Sequence, residues 1–581
     1  MSRLKVSVLL ALSGLMALST GSTVRANELL EKDPMGQVTS VSQLSDVKPT
    51  DWAFQALQSL VERYGCIAGY PDQTYRGNRA MTRYEFAAGL NACMEKVNQL
   101  ISAATEDMAS KADLATAKKL QEEFATELAE IRGQVDGIEA KMATLEKQQF
   151  STTTKLSGEV IIAAAGVLGD DRALNGDQWR NIDAAATPAI RDARIASAYG
   201  TNPRKLQENT IVADRVRLSL DTSFNGKDRL RARLQARNIT SFSGAVTGTN
   251  NTRLGFDGNN DNAVELNRLE YRTNIGDQLT VFVGGGSNDG LEFNDSIATL
   301  SPTESSANGA ISRFGRFNPI YRAGTGSGLI VNYKLGREFT ELSKVTLSAG
   351  YLVPSATASN PADKAGLFDG GYSALAQLAY QPTPNLGLAL TYANSYYPTG
   401  AGVSGGTGSG FANNPFNGAA TSANAYGIQA NVKFSPQVAL SGWAGYTSAT
   451  SKERIATVSS QGTALDPAVS ADDQATIWNW AAALTFPDLL KEGNLGGIVF
   501  GMPPKVTDND FGPTTRVLSA GRDVTNARRD RDTTYHLEAF YRHRLNDKIS
   551  ITPGLLVIFN PESSRNNDTI YVGTLRTTFT F

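Results

Sequence analysis

From residue 150 onward, apolar and polar residues alternate. "RVRLSLDTSF" places Val216, Leu218, Leu220 and Phe224 on one face, with Arg215, Arg217, Ser219 and Asp221 on the other. "DRLRARLQARNI" opposes Leu230, Ala232, Leu234 and Ala236 to Arg229, Arg231, Arg233, Gln235 and Arg237. "AYGIQANVKF" sets Tyr426, Ile428, Ala430, Val432 and Phe434 against Gly427, Gln429, Asn431 and Lys433. Side chains alternate across a strand, so this two-residue period predicts β-strands with one apolar and one polar face. Sixteen strands are predicted, starting near residues 156, 214, 229, 265, 278, 328, 344, 372, 385, 425, 437, 475, 494, 533, 548 and 569.

The links between these strands alternate strictly between short and long. "FNGKD", "IGDQ", "QPTPN", "FSPQ" and "LNDK" are short, whereas long ones run roughly 167–213, 239–263, 285–327, 353–371, 395–424, 447–474 and 503–532. A soluble sandwich also alternates along its strands but rarely keeps that rhythm. An even number of antiparallel strands with short turns on one side and long loops on the other is the pattern of an outer-membrane barrel. Tyr333, Tyr351, Tyr372, Tyr380, Tyr392, Phe434, Tyr446, Trp478, Trp480 and Phe486 stand near strand ends, as aromatic girdles require. A barrel loses its free edge only when its last strand pairs with its first. "TIYVGTLRTTFTF", with Tyr571, Gly573, Leu575, Phe579 and Phe581 on one face, is expected to make that closure. Its terminal aromatic residue resembles the signal read by the outer-membrane insertion machinery.

Before residue 150 the period changes. Leu114, Ala117, Gln121, Phe124, Leu128, Ile131, Val135, Ile138, Met142 and Leu145 are spaced three and four apart, a heptad run that predicts a coiled coil over 107–149. Isoleucine at the d positions, Ile131 and Ile138, argues for three strands rather than two; a single helix packed on a domain is the alternative. Residues 43–106 read as a small helical domain. Trp52, Ala56, Leu57, Leu60 and Val61 have helical spacing after an N-cap at Thr50 or Asp51, with Gly65 as stop. A second helix opens at Thr82 with Glu85 three residues on, a capping box. At the start, Arg3 and Lys5 precede an apolar run, Val6 to Leu18, and Val24-Arg25-Ala26 gives a cleavage site, so residues 1–26 read as a signal peptide.

Composition narrows the chemistry. The net charge is -2, which gives no reason to expect nucleic acid as a partner. Two histidines and two cysteines leave little material for metal sites, and no cofactor is expected. Cys66 and Cys93 are an even pair in an exported chain, so a disulfide between them and two buried thiols both remain open. "GGTGSG" at 405–410 lacks the strand-to-helix setting of a phosphate loop and reads as a flexible surface segment.

Asp51-Trp52-Ala53, Gly69-Tyr70-Pro71-Asp72, Thr74-Tyr75 and Thr82-Arg83-Tyr84-Glu85-Phe86-Ala87 resemble the S-layer homology (SLH) domain, present in one copy and with Gln73 at a usual glycine. That resemblance implies binding to peptidoglycan or its attached polysaccharide through Trp52, Tyr70, Asp72, Thr82, Arg83 and Glu85, with Arg83 as the charged contact. Signal peptide, SLH domain, coiled coil and sixteen-stranded barrel (150–581, entered through "FSTTTKLSGEV") together resemble the SLH-containing outer-membrane porins of cyanobacteria. Their barrels belong with the carbohydrate-selective OprB-like and iron-uptake porins. The resemblance implies a homotrimer in outer-membrane lipid, with SLH domain and stalk in the periplasm. It also implies passive passage of small hydrophilic solutes, with inorganic ions, sugars and iron left open.

Three functions compete. A porin tethered to peptidoglycan needs a water-filled lumen, which sixteen strands leave. A structural tether would have a nearly closed barrel. An enzyme would need a nucleophile and base on one wall; His536 is expected inward and His543 on the opposite face or in a turn, and a lone inward histidine is more often lumen lining. The resemblance further implies that the third long loop, 285–327, folds into the lumen. It carries Arg313, Arg316 and Arg322 between Phe314, Phe317 and Tyr321, opposite Arg217, Arg229, Arg231, Arg233 and Arg237 on the inward faces. Unpaired, these cations would favour anions; paired with Asp221, Glu265 and Glu270, they would form a neutral rim.

Overall fold

The computed structural model describes residues 39–65, 72–103, 115–116, 118–120, 124, 154–286, 290–336, 341–454, 469–511, 517–519, 522–524 and 528–581. The predicted signal peptide, Tyr70, Cys66 and nearly all of the heptad run lie outside them. The chain divides into two compact units, Met1–Lys147 and Gln148–Phe581.

The first unit is small. Its core is Val41, Leu44, Leu57 and Val61, with Val47, Ala53, Phe54 and Tyr75 packed around them. The first predicted helix forms as Phe54–Gln58 running into a wider turn over Ser59–Arg63. Its expected cap does not form. Ala53 holds the cap position without a side-chain bond, while the Asp51 carboxylate accepts the Lys48 N–H at 2.8 Å. The second helix, Arg83–Ala103, opens on the predicted capping box. Thr82 N–H donates to Glu85 Oε2 at 2.8 Å and Glu85 N–H to Thr82 Oγ1 at 3.2 Å.

The second unit is a closed antiparallel barrel of sixteen strands. They are β1 (Thr154–Leu168), β2 (Ile211–Thr222), β3 (Arg229–Ile239), β4 (Glu265–Ile275), β5 (Leu279–Gly285), β6 (Thr325–Lys334), β7 (Val345–Val353) and β8 (Tyr372–Thr383). β9 (Leu386–Tyr397), β10 (Thr421–Ser435), β11 (Val438–Ser451), β12 (Gln474–Pro487), β13 (Leu495–Asn509), β14 (Tyr535–Asn546), β15 (Ile549–Phe559) and β16 (Ile570–Thr580) complete it. Each strand pairs with its sequence neighbours, and β16 returns to β1 with Thr580 opposite Glu159 and Tyr571 opposite Leu168. The closure expected of the last strand is present, and no edge is left open.

Short turns and long loops alternate as predicted, and we number the long loops L1 (169–210), L2 (240–264), L3 (286–324), L4 (354–371), L5 (398–420), L6 (452–473), L7 (510–534) and L8 (560–569). The outer face is apolar, with Leu156, Ile162, Leu388, Leu390, Ile428 and Ile498 exposed. Near the loop side an aromatic belt runs along β7–β14. Tyr351 stacks on Tyr372 at 5.7 Å, Tyr446 lies 4.9 Å from Trp478, and Phe500 lies 5.8 Å from Tyr535. Such rings have one apolar and one wet side, which suits a membrane interface. No helix among the described residues is long and apolar enough to cross a membrane.

The interior is less polar than alternation alone suggests. Inward on β1 are Ile161, Ala163, Ala165 and Val167, all buried against Leu254 and Phe256 of L2 and Ala307, Ala310 and Ile311 of L3. The loops themselves supply the second layer that buries this wall. "GGTGSG" is likewise no flexible surface segment. Thr407 and Ser409 are buried, and the Ser409 N–H donates to Pro504 O at 3.1 Å inside the barrel mouth.

Candidate functional site: the lumen and its third loop

L3, residues 286–324, enters the lumen and is held at three places. On the β5–β9 side Phe293, Ile297, Phe317, Ile320 and Tyr321 pack on the inward residues Ile330, Leu352, Leu375 and Ala393. Tyr321 Oη donates to Gln377 Oε1 at 2.6 Å, and Gln377 Nε2 donates to Ala298 O at 2.9 Å. Across the barrel, Arg576 of β16 donates to Ser306 O at 2.8 Å and Gly309 O at 2.7 Å, while Thr578 Oγ1 reaches Ala307 O at 2.9 Å. On β14, Glu538 accepts the Ile311 N–H at 2.5 Å and the Ser312 hydroxyl. Satisfying loop backbone with buried charged side chains is what lets irregular chain sit inside a barrel.

His536 faces inward as expected and is fully buried beside these groups. Its Nε2 lies 3.3 Å from both Ser312 Oγ and Glu538 Oε2, and its Nδ1 has no hydrogen-bond partner. A hydrolytic triad needs the carboxylate on one ring nitrogen and the nucleophile on the other. Here both contact the same nitrogen, Ser312 donates to the carboxylate, and none of the three meets water. The trio anchors L3.

The arginines divide into two sets. Arg231 is held bidentately by Asp221 at 2.7 Å through each nitrogen, Arg229 pairs with Glu270, and Arg215 pairs with Glu159 at 2.8 Å. These follow the neutral-rim alternative. Arg217 donates to Gln235 Oε1 at 2.6 Å and stands 3.9 Å from Glu159. Arg233 donates to Asn267 Oδ1 at 2.6 Å, Arg313 to Gly405 O at 3.1 Å, Arg316 to Glu304 O at 2.5 Å, and Arg322 to Arg313 O at 2.9 Å. Among the described residues no carboxylate pairs with Arg233, Arg313, Arg316 or Arg322.

Arg268 was hidden from pattern reading. Counting by twos from Leu266 puts it on the lipid face, but the β3–β4 register shifts between Arg233 and Leu234 and turns Asn267 and Arg268 both inward. A bulge re-aims side chains in this way. Arg268 then pairs with Asp295 and lies 3.7 Å from Glu292, two L3 acids that keep about a third of their side chains open to water. Arg253 of L2, bidentate to Asp257 at 2.9 Å, was also missed, since long loops carry no periodic signal.

In the helical unit the implied wall-binding residues have different employment. Trp52 is exposed, and Arg83 is exposed with no ion-pair partner among the described residues. Thr82 and Glu85 are spent on the capping box. Asp72 accepts from Thr74 Oγ1 at 2.6 Å and pairs with Arg76 at 2.5 Å; the Thr74 hydroxyl, then Arg76, hold its carboxyl down at about 2. Cys66 lies outside the described residues, so its pairing with Cys93 is carried no further.

Known proteins resemble this chain along its length. The family described as carbohydrate-selective porin, OprB family, matches residues 111–581, and the S-layer homology domain matches residues 43–87. An uncharacterized protein of Nostoc sp. strain PCC 7120 is 40% identical over 563 residues, covering 94% of this chain and 86% of that one. An uncharacterized protein of Synechocystis sp. strain PCC 6803 is 40% identical over 564 residues, covering 94% and 92%. The outer membrane protein SlpA of Thermus thermophilus is 28% identical over 162 residues, 27% of this chain and 17% of that protein. The structure of Pseudomonas putida OprB covers 76% of this chain and 96% of its own at 13% identity, with a TM-score of 0.45.

Proposed function

The chain belongs to the carbohydrate-selective porin, OprB family, and from that premise we propose a passive pore for small hydrophilic solutes that favours anions and is tethered to peptidoglycan. It is an outer-membrane porin by family and fold. The solute preference, the homotrimer and the tether are inferred beyond family and fold. The observation that carries the preference is the set Arg233, Arg313, Arg316 and Arg322, whose guanidiniums meet amides and carbonyls instead of carboxylates. Fixed cations around a narrow aqueous path raise the local anion concentration and repel cations. Sugars fit the same path, because guanidiniums and carbonyls also bind hydroxyl groups. The His536, Ser312 and Glu538 trio lacks the arrangement of a hydrolytic triad, because the hydroxyl and the carboxylate meet the same ring nitrogen.

A second reading has its own support. L2 and L3 bury the β1 wall with Ala307, Ala310, Ile311, Leu254 and Phe256, which favours a narrow lumen and a mainly structural tether. Single-channel recording on the purified chain separates the two. The porin reading expects discrete conductance steps and, under a potassium chloride gradient, a zero-current potential of anionic sign. Insertion without steps would leave the tether. Steps with cationic sign would remove the arginines from the explanation.

A further inference from the structure

Between Ile311 and Arg322 every residue is buried except Arg313 and Arg316. These two alone in that stretch keep part of their surface exposed. Arg322, 9% exposed, lies behind them; one terminal nitrogen donates to Arg313 O at 2.9 Å, and its Nε has no partner. Arg316 and Arg322 both lie over the Phe317 ring, at 4.9 and 4.2 Å, so the ring fixes where both guanidiniums stand. The Arg313 N–H donates to Arg253 O at 2.8 Å, which ties L3 to L2 at this point.

The glycine turn of L5 completes the site. A Cβ on Gly405 would come within 2.5 Å of Arg322 Cβ, and one on Gly406 within 2.5 Å of an Arg253 terminal nitrogen. Both glycines have positive φ, 63° and 71°. Bare backbone therefore packs directly on Arg322, where a side chain at Gly405 would press against its Cβ. The nearby acids are already engaged. Asp257 is taken by Arg253, and Asp295 and Glu292 by Arg268. Glu292 acts on all three guanidiniums, and Asp295 and Glu304 on Arg316, without forming an ion pair with them. Guanidiniums gathered and partly desolvated without a directly paired carboxylate are costly, and an anion that accepts their remaining N–H groups offsets the cost.

We propose that Arg313, Arg316 and Arg322, set by Phe317 and by the Gly405–Gly406 turn, form a binding site in the pore for a multivalent oxyanion of the phosphate type. This rests on the reading of the protein as a conducting, anion-favouring pore. A tetrahedral oxyanion offers pairs of oxygens to more than one guanidinium fork, whereas chloride is a single point charge. Such an ion dwells at the site instead of drifting past it.

The test uses the purified full chain in a planar bilayer, with chloride current recorded as phosphate or sulfate replaces part of the salt at constant ionic strength. Nitrate serves as the monovalent oxyanion control. Phosphate and sulfate should each reduce the chloride current in a saturable way while nitrate does not. Arg322→Gln should raise the half-blocking concentration roughly tenfold, the loss of one charge-assisted contact. Arg313→Gln, at a partly exposed position, should do the same if Arg322→Gln does not insert. Anion preference with no block by phosphate or sulfate overturns the site and leaves the pore reading standing. Absence of current, or cation preference, overturns both, and the wild-type record alone decides among these.

Discussion

Gly158 and Phe581 exchange backbone hydrogen bonds, Gly158 N–H to Phe581 O at 2.7 Å and Phe581 N–H to Gly158 O at 3.1 Å. The Phe581 ring occupies the space of a Gly158 side chain; a Cβ there would lie 2.2 Å from the ring. The pair fastens the seam between β1 and β16, where the barrel closes on itself. Gly158→Val should displace the ring and strain the seam, an overpacking cost of about 1–3 kcal/mol. Heating in detergent before electrophoresis reads it, since a folded barrel migrates differently from the unfolded chain. The variant should unfold at a lower temperature, and an unchanged transition would mean the ring moves aside freely.

Arg576 holds L3 by the carbonyls of Ser306 and Gly309. Arg576→Leu would leave two buried carbonyls without donors, about 1–3 kcal/mol each. The barrel wall keeps its backbone ladder with β1 and β15, so insertion should persist while L3 loosens. Open-channel current should become larger and noisier than in the wild type. A quiet current of unchanged size would show that the Glu538 and Tyr321 anchors suffice.

The outer loops carry a pH dependence of definite sign. Asp530 of L7 accepts from Ser409 Oγ at 2.7 Å and from the Val506 N–H at 2.7 Å; Glu562 of L8 accepts from Thr249 Oγ1 at 2.7 Å and from the Gly410 N–H at 2.6 Å. Together they knit L2, L5, L7 and L8. Burial pushes both carboxyls up to about 7, and Asp530 pushes Glu562 further, while Lys505 and Arg528 partly restrain Asp530. An acid whose folded pKa lies above its unfolded one binds more protons when folded. Loop docking is therefore strongest below about pH 4, weakens as pH rises, and levels off above about pH 7. Amide exchange in L5 should accelerate over that window beyond the intrinsic rate. The double variant Asp530→Asn, Glu562→Gln should flatten the response; an equal slope in both proteins would discard the idea.

Strand positions were legible because a lipid-facing wall enforces a two-residue period, and closure followed from "TIYVGTLRTTFTF" for the same reason. Arg268 was not, because one extra residue in β4 reverses the face of everything beside it. The pairing of Arg231 with Asp221 is a cross-strand relation, and alternation says only that both point inward. Burial of "GGTGSG" and of the β1 interior depends on loops that fold back from far along the chain, and local pattern carries no trace of that. In the helical unit the capping box was readable from Thr82 and Glu85 alone, since both partners lie within one turn.

That capping box also separates two kinds of effect in the proposed tether. Thr82 and Glu85 satisfy each other, and Asp72 is spent on Thr74 and Arg76, so these three shape the domain. Arg83 projects from the first turn of the helix into solvent, and a guanidinium can grip an anionic wall polymer through two parallel hydrogen bonds. Thr82→Ala should cost about 1 kcal/mol of domain stability and weaken wall binding only as far as the domain unfolds. Arg83→Ala should leave the fold intact, with unchanged protection of the Arg83–Ala103 amides, yet reduce co-sedimentation of the full chain with purified peptidoglycan. Added salt should weaken the wild type toward the level of the variant, since exposed charge pairs are screened. Co-sedimentation of Arg83→Ala equal to the wild type at low salt would remove this arginine from the wall contact and leave the exposed Trp52 as the next residue to substitute.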